Sequence, residues 1–364
     1  MTTPQLSRDV ASRHRLKRVA VPALLAVLLA LSIATYFWID SRYPALLKKL
    51  HFGKAIHVSA GLSFDALLPV TPQMPLTTRV AYTAIDWAWT NRIGMTFGVF
   101  FGAAVMTVLG SLSRRRFTSA YANTALGAAI GTPLGVCANC VAPIGRGLVR
   151  GGASPATMLG AMIASPTLNL VVLAMAFTLL PLKIALIRLA APLVLLALVP
   201  LLLRSSSSAH EEFGAECALG FAPKRTWAES LQFVLRTYFV NLGRLALATV
   251  PWMLVAGLLG ALVIELIPPT SIPAQVSLLG LVLVAFLGTF APVPIAFDVA
   301  LAWILFNKGV PAPYVAALAC TLGAFSIYPA IIVGQSLSWR VAAKIFAAVV
   351  SVGILAGTVT ALLV

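Results

Sequence analysis

Apolar stretches long enough to cross a bilayer recur along this chain, and they constrain its fold more than any other feature of the sequence. They include residues 19–38, 92–112, 184–203 and 246–267. A helix of about 20 apolar residues crosses the roughly 30 Å hydrocarbon core of a bilayer. Only 10% of the residues are charged, against about 25% in soluble domains, so most of the surface must face lipid. We therefore predict an all-α polytopic membrane protein with roughly seven to nine spans.

The net charge of +16 would suggest a phosphate-binding surface in a soluble protein. Here the cations lie mostly in the loops that bound the apolar stretches. That distribution is typical of the positive-inside rule and of attraction to anionic lipid. No basic stripe interleaved with aromatic residues lies on a polar domain, so we exclude nucleic acid and expect the lipid bilayer as the partner of these charges.

The cations also predict how the chain sits in the membrane. An Arg/Lys-rich tail precedes the first apolar stretch and no small-residue cleavage site follows it, so we expect a retained anchor helix rather than a signal peptide. The run Arg114 to Arg116 stops the next span on the same, cytoplasmic side. We expect a multi-pass protein of the bacterial inner (cell) membrane with a cytoplasmic N-terminus.

Five segments follow from this pattern. They are a cytoplasmic tail and anchor helix (1–38), a polar extracytoplasmic loop (39–91), a first membrane-embedded half (92–204), a polar cytoplasmic linker (205–228) and a second membrane-embedded half (229–364). Within the second half we expect an amphipathic helix over 229–245 before the span, and an uninterrupted span over 314–333.

Two further stretches are long enough to span but are interrupted by helix-breaking residues. These residues are Gly131, Pro133, Pro143, Gly145 and Gly147 within 121–150, and Gly288, Pro292 and Pro294 within 276–306. Backbone groups freed inside a bilayer must be satisfied by protein or water. We predict that each stretch forms two half-helices that meet at a break lining a cavity.

The two broken stretches belong to a predicted internal repeat, whose offset places Gly309 on Gly152 (309 − 152 = 157). If each stretch crosses the membrane fully, three cations of the linker region fall outside. If each is a re-entrant hairpin, seven cations fall inside: Arg146, Arg150, Arg204, Lys224, Arg225, Arg340 and Lys344. The hairpins fit the positive-inside rule better. They also make the halves inverted, so we predict an inverted-repeat, transporter-like bundle with two re-entrant helical hairpins.

A Cys-x-x-Cys pair, Cys137 and Cys140, lies in the first broken stretch. Residues i and i+3 share a face of a helical turn, so both sulfurs can point into one cavity. Thiolates suit soft or borderline ions such as Cu(I) and Zn, and trivalent arsenic and antimony follow the same logic. The alternative is that both are small buried hydrophobes. We predict a substrate-binding pair that can also hold a metal.

Three polar residues lie within the embedded segments, one of them between the two cysteines. Asn139 and Asn169 are either ligand groups or interhelical hydrogen-bonding residues. Asp298 is the one carboxylate of the second broken stretch, and a carboxylate at membrane depth is costly and usually functional. We predict a proton-coupling or cation-binding role for Asp298, with a buried ion pair to a cation such as Arg146 as the alternative.

Motifs of soluble catalysis are absent from the sequence. It contains no HExxH or other metal-spaced histidine cluster, no Walker loop, no GxSxG and no dinucleotide fingerprint. Cys320 is a predicted packing residue, although a third thiol would complete the trigonal sulfur set that trivalent arsenic favours. We expect a protein that is not an enzyme, needs no cofactor and does not drive transport with ATP by itself.

The motifs around the cysteines resemble the ArsP/YraQ-like permease family. They are the segments 135–144 (GVCANCVAPI), 150–155 (RGGASP) and 164–169 (ASPTLN), with 291–294 and 308–311 in the second half. The resemblance runs from about Phe97 to the C-terminus. It implies an efflux permease of a family whose members act on organoarsenicals or related soft metalloids. The family's cysteine motif corresponds to Cys137 and Cys140, its proline to Pro143, and its helix break to Ser165, Pro166 and Asn169.

The sequence therefore favours a secondary permease that exports a small soft substrate, either a metalloid or a sulfur- or metal-containing compound. The predicted substrate contacts are Cys137, Asn139, Cys140, Pro143, Ser165, Pro166, Asn169 and Asp298. Two alternatives stay open: a membrane thiol–disulfide oxidoreductase that uses the cysteine pair, and a non-transporting scaffold subunit that docks a partner on the polar loop. A homo-oligomer is compatible with each.

Overall fold

The structure is a computed structural model. It describes residues 5–44, 47, 67–71, 73–111, 117–204, 226–266 and 275–363, and for residues 5–20 only the backbone. Most of the predicted polar loop before residue 67, the Arg114 to Arg116 stop and the predicted linker up to residue 225 lie outside these ranges. The fold is 85% helical and contains no strand within the described ranges.

Thirteen α-helices follow one another in the described ranges, and a π-helical turn (Trp38–Arg42) extends the first. They are α1 (Gln5–Phe37), α2 (Leu76–Ser111), α3 (Ala120–Leu134), α4 (Ala138–Arg150), α5 (Pro155–Thr167), α6 (Leu170–Leu179), α7 (Leu182–Arg204), α8 (Trp227–Leu266), α9 (Leu278–Phe290), α10 (Phe297–Asn307), α11 (Ala312–Thr321), α12 (Ile327–Ser336) and α13 (Trp339–Leu363).

Five of these helices are long and apolar enough to cross a membrane. They are the residue 21–42 part of α1 with its π-helical turn, α2, α7, α8 and α13. The pair α5 and α6, bent by 41° at its break, adds a sixth if it forms one span. Large apolar side chains such as Leu247, Leu254 and Leu279 remain exposed on these and neighbouring helices, as expected of surfaces that face lipid. The architecture agrees with the prediction of an all-α, multi-pass membrane protein, but the described residues give five or six spans instead of the seven to nine expected.

The polar loop predicted for 39–91 is wrong at its C-terminal end, because α2 begins at Leu76. The polar residues of this region, which argued against a membrane-spanning helix, form hydrogen bonds inside the protein. Asp86 is only 4% exposed and accepts two backbone N–H groups of the segment before the helix. The Trp87 indole donates to the carbonyl of Pro292 at 2.7 Å. Tertiary partners thus extend α2 through a sequence too polar to suggest a span.

Two other predicted boundaries also need correction. The amphipathic helix and the span expected over 229–267 form the single 40-residue helix α8, which buries one face, including Tyr238 and Leu245, along its length. The uninterrupted span expected over 314–333 is broken between α11 and α12. Gly323 has a φ of 81° there, a left-handed conformation that ends a helix and that glycine adopts without strain.

The helix boundaries recur at the offset predicted from the sequence. Pro155 begins α5 and Ala312 begins α11, and their numbers differ by that offset (312 − 155 = 157). The starts of α6 and α12 and of α7 and α13 obey the same offset. Gly152 and Gly309, in the turns before α5 and α11, both have positive φ, 98° and 81°. The order and lengths of the elements therefore agree with an internal repeat.

Close helix contacts at glycines give the relative directions of the elements. In α3, Gly127 and Gly131 lie against Thr157 and Ala161 of α5, so α3 and α5 run parallel. Since α4 joins the end of α3 to the start of α5, α4 must return toward the end at which α3 begins. In the second half α9 and α11 run parallel in the same way, because Gly280 and Gly288 lie against residues 314 and 321, and α10 returns between them.

Candidate functional site at the helix breaks

Four interruptions of helical structure, which we call the four breaks, lie at 135–137 (α3–α4), 168–169 (α5–α6), 291–296 (α9–α10) and 322–326 (α11–α12). Two contain residues with positive φ besides Gly323: Gly135 at 57° and Ala296 at 63°. A non-glycine residue rarely adopts this conformation. The four breaks supply irregular backbone inside an otherwise helical membrane protein, where such backbone is tolerated only against protein or water.

Asn139 ties the breaks of the two halves together. This side chain, in the first turn of α4, is fully buried. Its amide nitrogen Nδ2 donates to the carbonyl of Val293 at 3.3 Å, and its oxygen Oδ1 accepts from the Ser326 hydroxyl at 2.8 Å. Val293 lies in the α9–α10 break and Ser326 in the α11–α12 break. Asn139, which was predicted from the sequence, thus links the first turn of α4 to two of the four breaks by hydrogen bonds.

The fourth break joins the same cluster through Ser165. Its hydroxyl lies 3.3 Å from the backbone nitrogen and 3.4 Å from the carbonyl oxygen of Val136. Asn169 caps α6, since its Oδ1 accepts from the Val172 N–H at 3.0 Å while its Nδ2 donates to the Ser165 carbonyl at 2.7 Å. Pro166, in the last turn of α5, is buried beside them.

Cys137 and Cys140 form a disulfide at the N-terminus of α4, with their Cα atoms 5.1 Å apart. Both side chains are 2% exposed. Cys137 is the N-cap of α4, and its Sγ lies 3.1 Å from the Cys140 backbone nitrogen. The same sulfur lies 3.7 Å from Oδ1 of Asn91. Because a disulfide sulfur carries no proton, this contact becomes a hydrogen bond only when the pair is reduced.

The cysteine helix α4 packs directly on the backbone of α2. A Cβ at Gly98 would collide with the carbonyl oxygen of Cys140, and one at Gly102 would lie 2.9 Å from the carbonyl oxygen of Pro143. Pro143 itself lies inside α4 and lacks the N–H that would bond to the carbonyl of residue 139. The glycines recur every four residues from Gly94, the small-residue pattern of close helix pairs in membranes. The four-residue spacing of these glycines is visible in the sequence and could have predicted the close contact of α2 with another helix.

Arg42 lies at the cysteine pair and was not predicted. Its side chain is 7% exposed and stacks over the Phe37 ring at 4.7 Å. A Cβ built on Gly94 would lie 2.7 Å from Sγ of Cys140 and 3.8 Å from Nη2 of Arg42. The sulfur and the guanidinium nitrogen therefore lie against the same glycine of α2. No hydrogen bond or ion pair joins Arg42 to another described residue, and its Nε is buried without a partner.

Asp298 is buried, as predicted, but its partner is Arg188 and not Arg146. Oδ2 of Asp298 accepts from Nη2 of Arg188 at 2.5 Å and from Nε at 3.2 Å. The two side chains are 4% and 1% exposed. Asp298 lies in the first turn of α10, where the helix dipole favours a negative charge. Arg188 lies in α7, which belongs to the predicted first half.

Arg146 occupies a second polar cluster, on the C-terminal part of α4. Its Nη1 donates to the Ala248 carbonyl at 2.8 Å and to Oε1 of Gln335 at 2.9 Å. Its Nε and the hydroxyl of Tyr328 are buried without hydrogen-bond partners. Arg146 is therefore held by neutral oxygens rather than by a carboxylate.

The remaining predicted thiol, Cys320, is buried and free. Within the described ranges no group of three or more His, Cys, Asp and Glu side chains could hold a metal ion. A metal at Cys137 and Cys140 would require their reduction, because a thiolate and not a disulfide is the ligand of soft metals.

Comparison with protein-family models, with curated proteins and with solved structures finds no match for this chain. The resemblance of its motifs to the ArsP/YraQ-like permeases accordingly stays a prediction.

Proposed function

We propose that this protein is a secondary permease of the bacterial inner membrane. It exports a small soft substrate, a metalloid or a sulfur- or metal-containing compound, that passes between its two halves at the four breaks. The observation that carries the proposal is the hydrogen-bonded cluster at the four breaks. Asn139 in the first turn of α4 bonds the α9–α10 and α11–α12 breaks. Ser165 connects the α5–α6 break to Val136 in the α3–α4 break. Secondary transporters place their substrate sites at discontinuous helices where two repeats meet.

The directions of the hairpins support an inverted arrangement of the halves. The α3–α4 hairpin opens toward the end of the molecule where α5 begins. The end of α10 and the start of α11 lie beside the start of α7, since Ile184 and Ile187 line one small cavity with Phe306 and Ala312. If α5 and α6 cross the membrane together, the two hairpins enter from opposite sides. With the cytoplasmic N-terminus expected from the positive-inside rule, Arg146 and Arg150 then face the cytoplasm.

In this scheme Asp298 is the residue that couples proton uptake to the contact between the two halves. Arg188 and Asp298 join helices of different halves and are both buried. Protonation of Asp298 would remove the attraction between them, and a buried ion pair that loses one charge is strongly unfavourable. A proton taken up from one side would thus weaken a contact that holds the two halves together.

Transport by proteoliposomes that contain wild-type protein or the Cys137→Ser/Cys140→Ser variant tests the proposal. The panel is methylarsenite, arsenite, antimonite, Cu(I) and small sulfur compounds. We expect saturable transport of at least one compound by the wild type and a loss of about tenfold or more in the variant. The Cys320→Ser variant is the matched control for the loss of a buried sulfur, because Cys320 is free and not part of the disulfide. Absence of transport of every compound by the wild type would reject the permease.

A membrane thiol–disulfide oxidoreductase is the second candidate, favoured by the Cys137–Cys140 disulfide at a helix N-terminus. A helix N-terminus stabilises a thiolate and so activates it for exchange. In this reading the disulfide takes two electrons and two protons from a quinol or a dithiol and becomes a dithiol. Reduction of the pair by a quinol in vitro, with no transport of any compound in the panel, would establish this function in place of the permease.

A further inference from the structure

We propose that Arg42 and the N-terminus of α4 form an anion-binding site beside the cysteine pair, so that the transported substrate is a small anion that carries a soft atom such as sulfur. This inference rests on the proposed permease function and narrows its substrate class. It concerns a residue that lies outside the predicted permease halves.

The geometry brings three favourable features to one place. The guanidinium of Arg42 and Sγ of Cys140 both border Gly94, where a built Cβ would lie 3.8 Å from Nη2 and 2.7 Å from Sγ. The aliphatic part of Arg42 packs at Gly135, where a built Cβ would lie 3.8 Å from its Cδ. Gly135 belongs to the break from which the 13-residue helix α4 starts. The N-terminus of such a helix carries a partial positive charge and free N–H groups that favour anions.

Two buried cations lack a carboxylate partner among the described residues, which favours an anionic ligand beside one of them. Among described residues the buried side chains of Asp, Glu, Lys, Arg or His are Arg42, Asp86, Arg146, Arg188 and Asp298. Asp298 pairs with Arg188, and Asp86 accepts backbone N–H groups. Arg42 and Arg146 therefore have no carboxylate partner in the described ranges. A buried cation is costly at membrane depth unless a counter-charge accompanies it.

Arg42 is the better placed of the two for a ligand. Neutral oxygens already hold Nη1 of Arg146. The side chain of Arg42, in contrast, makes no hydrogen bond to a described residue, and its Nε is buried without a partner. Planar guanidinium groups bind oxyanions and other small anions through several N–H donors at once. The aromatic face of Phe37 holds the side chain in place without using those donors.

The oxidation state of the cysteines agrees with an anion. In the disulfide both sulfurs are neutral and polarisable, so they can contact a soft anion without repelling it. Reduction creates a thiol pair whose thiolate would lie close to Arg42 and would itself neutralise the guanidinium. Binding of an external anion should therefore weaken when the disulfide is reduced.

Equilibrium binding of ³⁵S-labelled thiosulfate and ¹⁴C-labelled thiocyanate to the purified full-length protein in detergent, at constant ionic strength, tests the site. We expect saturable binding of at least one probe by the wild type. Arg42→Gln should weaken it by roughly ten- to a hundredfold, and Arg42→Lys should weaken it less because the charge remains. Arg92→Gln is the matched control, since Arg92 is exposed and stacks on Trp89. Uncharged dithiothreitol should lower the affinity of the wild type and leave that of Arg42→Gln unchanged.

The inference is overturned if neither probe binds the wild type, or if Arg42→Gln binds as tightly as the wild type does. These results differ from failure of the permease itself. A protein that transports neutral arsenite through Cys137 and Cys140, but binds neither anion, keeps the proposed function and loses the anion site. A protein that binds the anions through Arg42 but transports no compound keeps the site and loses the permease.

Discussion

At the scale of single residues, the buried charged side chains bear most on the proposed mechanism. Asp298 is the most informative of them. Its carboxylate is the only described partner of the Arg188 side chain, and both are almost completely buried. The Arg79–Glu265 pair, at 27% and 11% exposure, offers a comparison between the same chemical groups nearer to solvent. Comparing the stability lost when each pair is broken separates the effect of burial from the effect of losing a salt bridge.

We predict that Asp298→Asn lowers the free energy of unfolding by about 3–5 kcal/mol, because Arg188 is left buried without a counter-charge. Glu265→Gln should cost about 1 kcal/mol or less. Replacement of both members of the buried pair by apolar residues, in Arg188→Met/Asp298→Leu, should recover most of the loss. Chemical denaturation of the purified variants in mixed micelles measures all three. Equal costs for Asp298→Asn and Glu265→Gln would show that burial of this pair is unimportant.

Residue-scale reasoning from the sequence found Asp298 but not its partner. A carboxylate inside an apolar stretch is conspicuous, so its importance can be predicted from the sequence. Arg188 is 110 positions away along the chain, and only the tertiary fold, which brings its long side chain from α7 to the first turn of α10, decides that it, and not Arg146, reaches Asp298. Arg42 was missed because a basic residue that follows an anchor helix usually lies at the membrane interface. Only the fold brings it beside the cysteine pair.

At the scale of helices, close packing through glycine positions the cysteine pair. Gly98 brings α2 against the carbonyl of Cys140, whereas Gly243 on α8 has no atom within 4 Å of a built Cβ. Both glycines lie inside long helices, so they differ mainly in what their missing side chains would contact.

We predict opposite effects of alanine at these two positions. Gly98→Ala should destabilise the protein by about 1–3 kcal/mol, since the helices must separate to relieve the clash. Gly243→Ala should stabilise it by roughly 0.5–1 kcal/mol, because alanine is the better helix former. Thermal unfolding in detergent compares the variants. If Gly98→Ala is as stable as the wild type, the packing of α2 on α4 is looser than described.

The breaks between helices were only partly predictable at this scale. Two breaks lie in the stretches 121–150 and 276–306, which contain several glycines and prolines. The third lies next to Pro166 and Asn169, so the sequence indicated all three. The α11–α12 break has a single glycine, Gly323, followed by Ser326. Ser326 occupies the position that is equivalent to Asn169 in the repeat. A glycine and a serine alone are too weak a signal to predict a helix break.

For the whole molecule, the relation between the halves makes a topological prediction. The turn after α4 and the turn after α10 are equivalent in the repeat, and Arg150 and Lys308 are exposed in them. In the proposed inverted arrangement these residues lie on opposite sides of the membrane. Single cysteines at Arg150→Cys and Lys308→Cys, in a Cys217→Ser background, place a reporter in each turn.

A membrane-impermeant maleimide should label Lys308→Cys in intact cells and Arg150→Cys only after the cells are opened. The native Cys137–Cys140 pair is disulfide-bonded and Cys320 is buried, so the introduced thiols dominate the signal. The Cys217→Ser protein without a new cysteine gives the background. Labelling of both positions from the same side would contradict the inverted arrangement, although it would leave the four breaks unchanged.

The helical, membrane-spanning character of this chain and the helix breaks near Cys137 and Asp298 could be predicted from the sequence. Apolar length, proline and glycine act locally, so these features need no knowledge of the fold. Three contacts required the folded structure: Asn139 bonds two breaks of the second half, Asp298 pairs with Arg188, and Arg42 lies beside the cysteine disulfide. Each of these contacts joins residues far apart in the chain, and their partners are selected by which helices pack together.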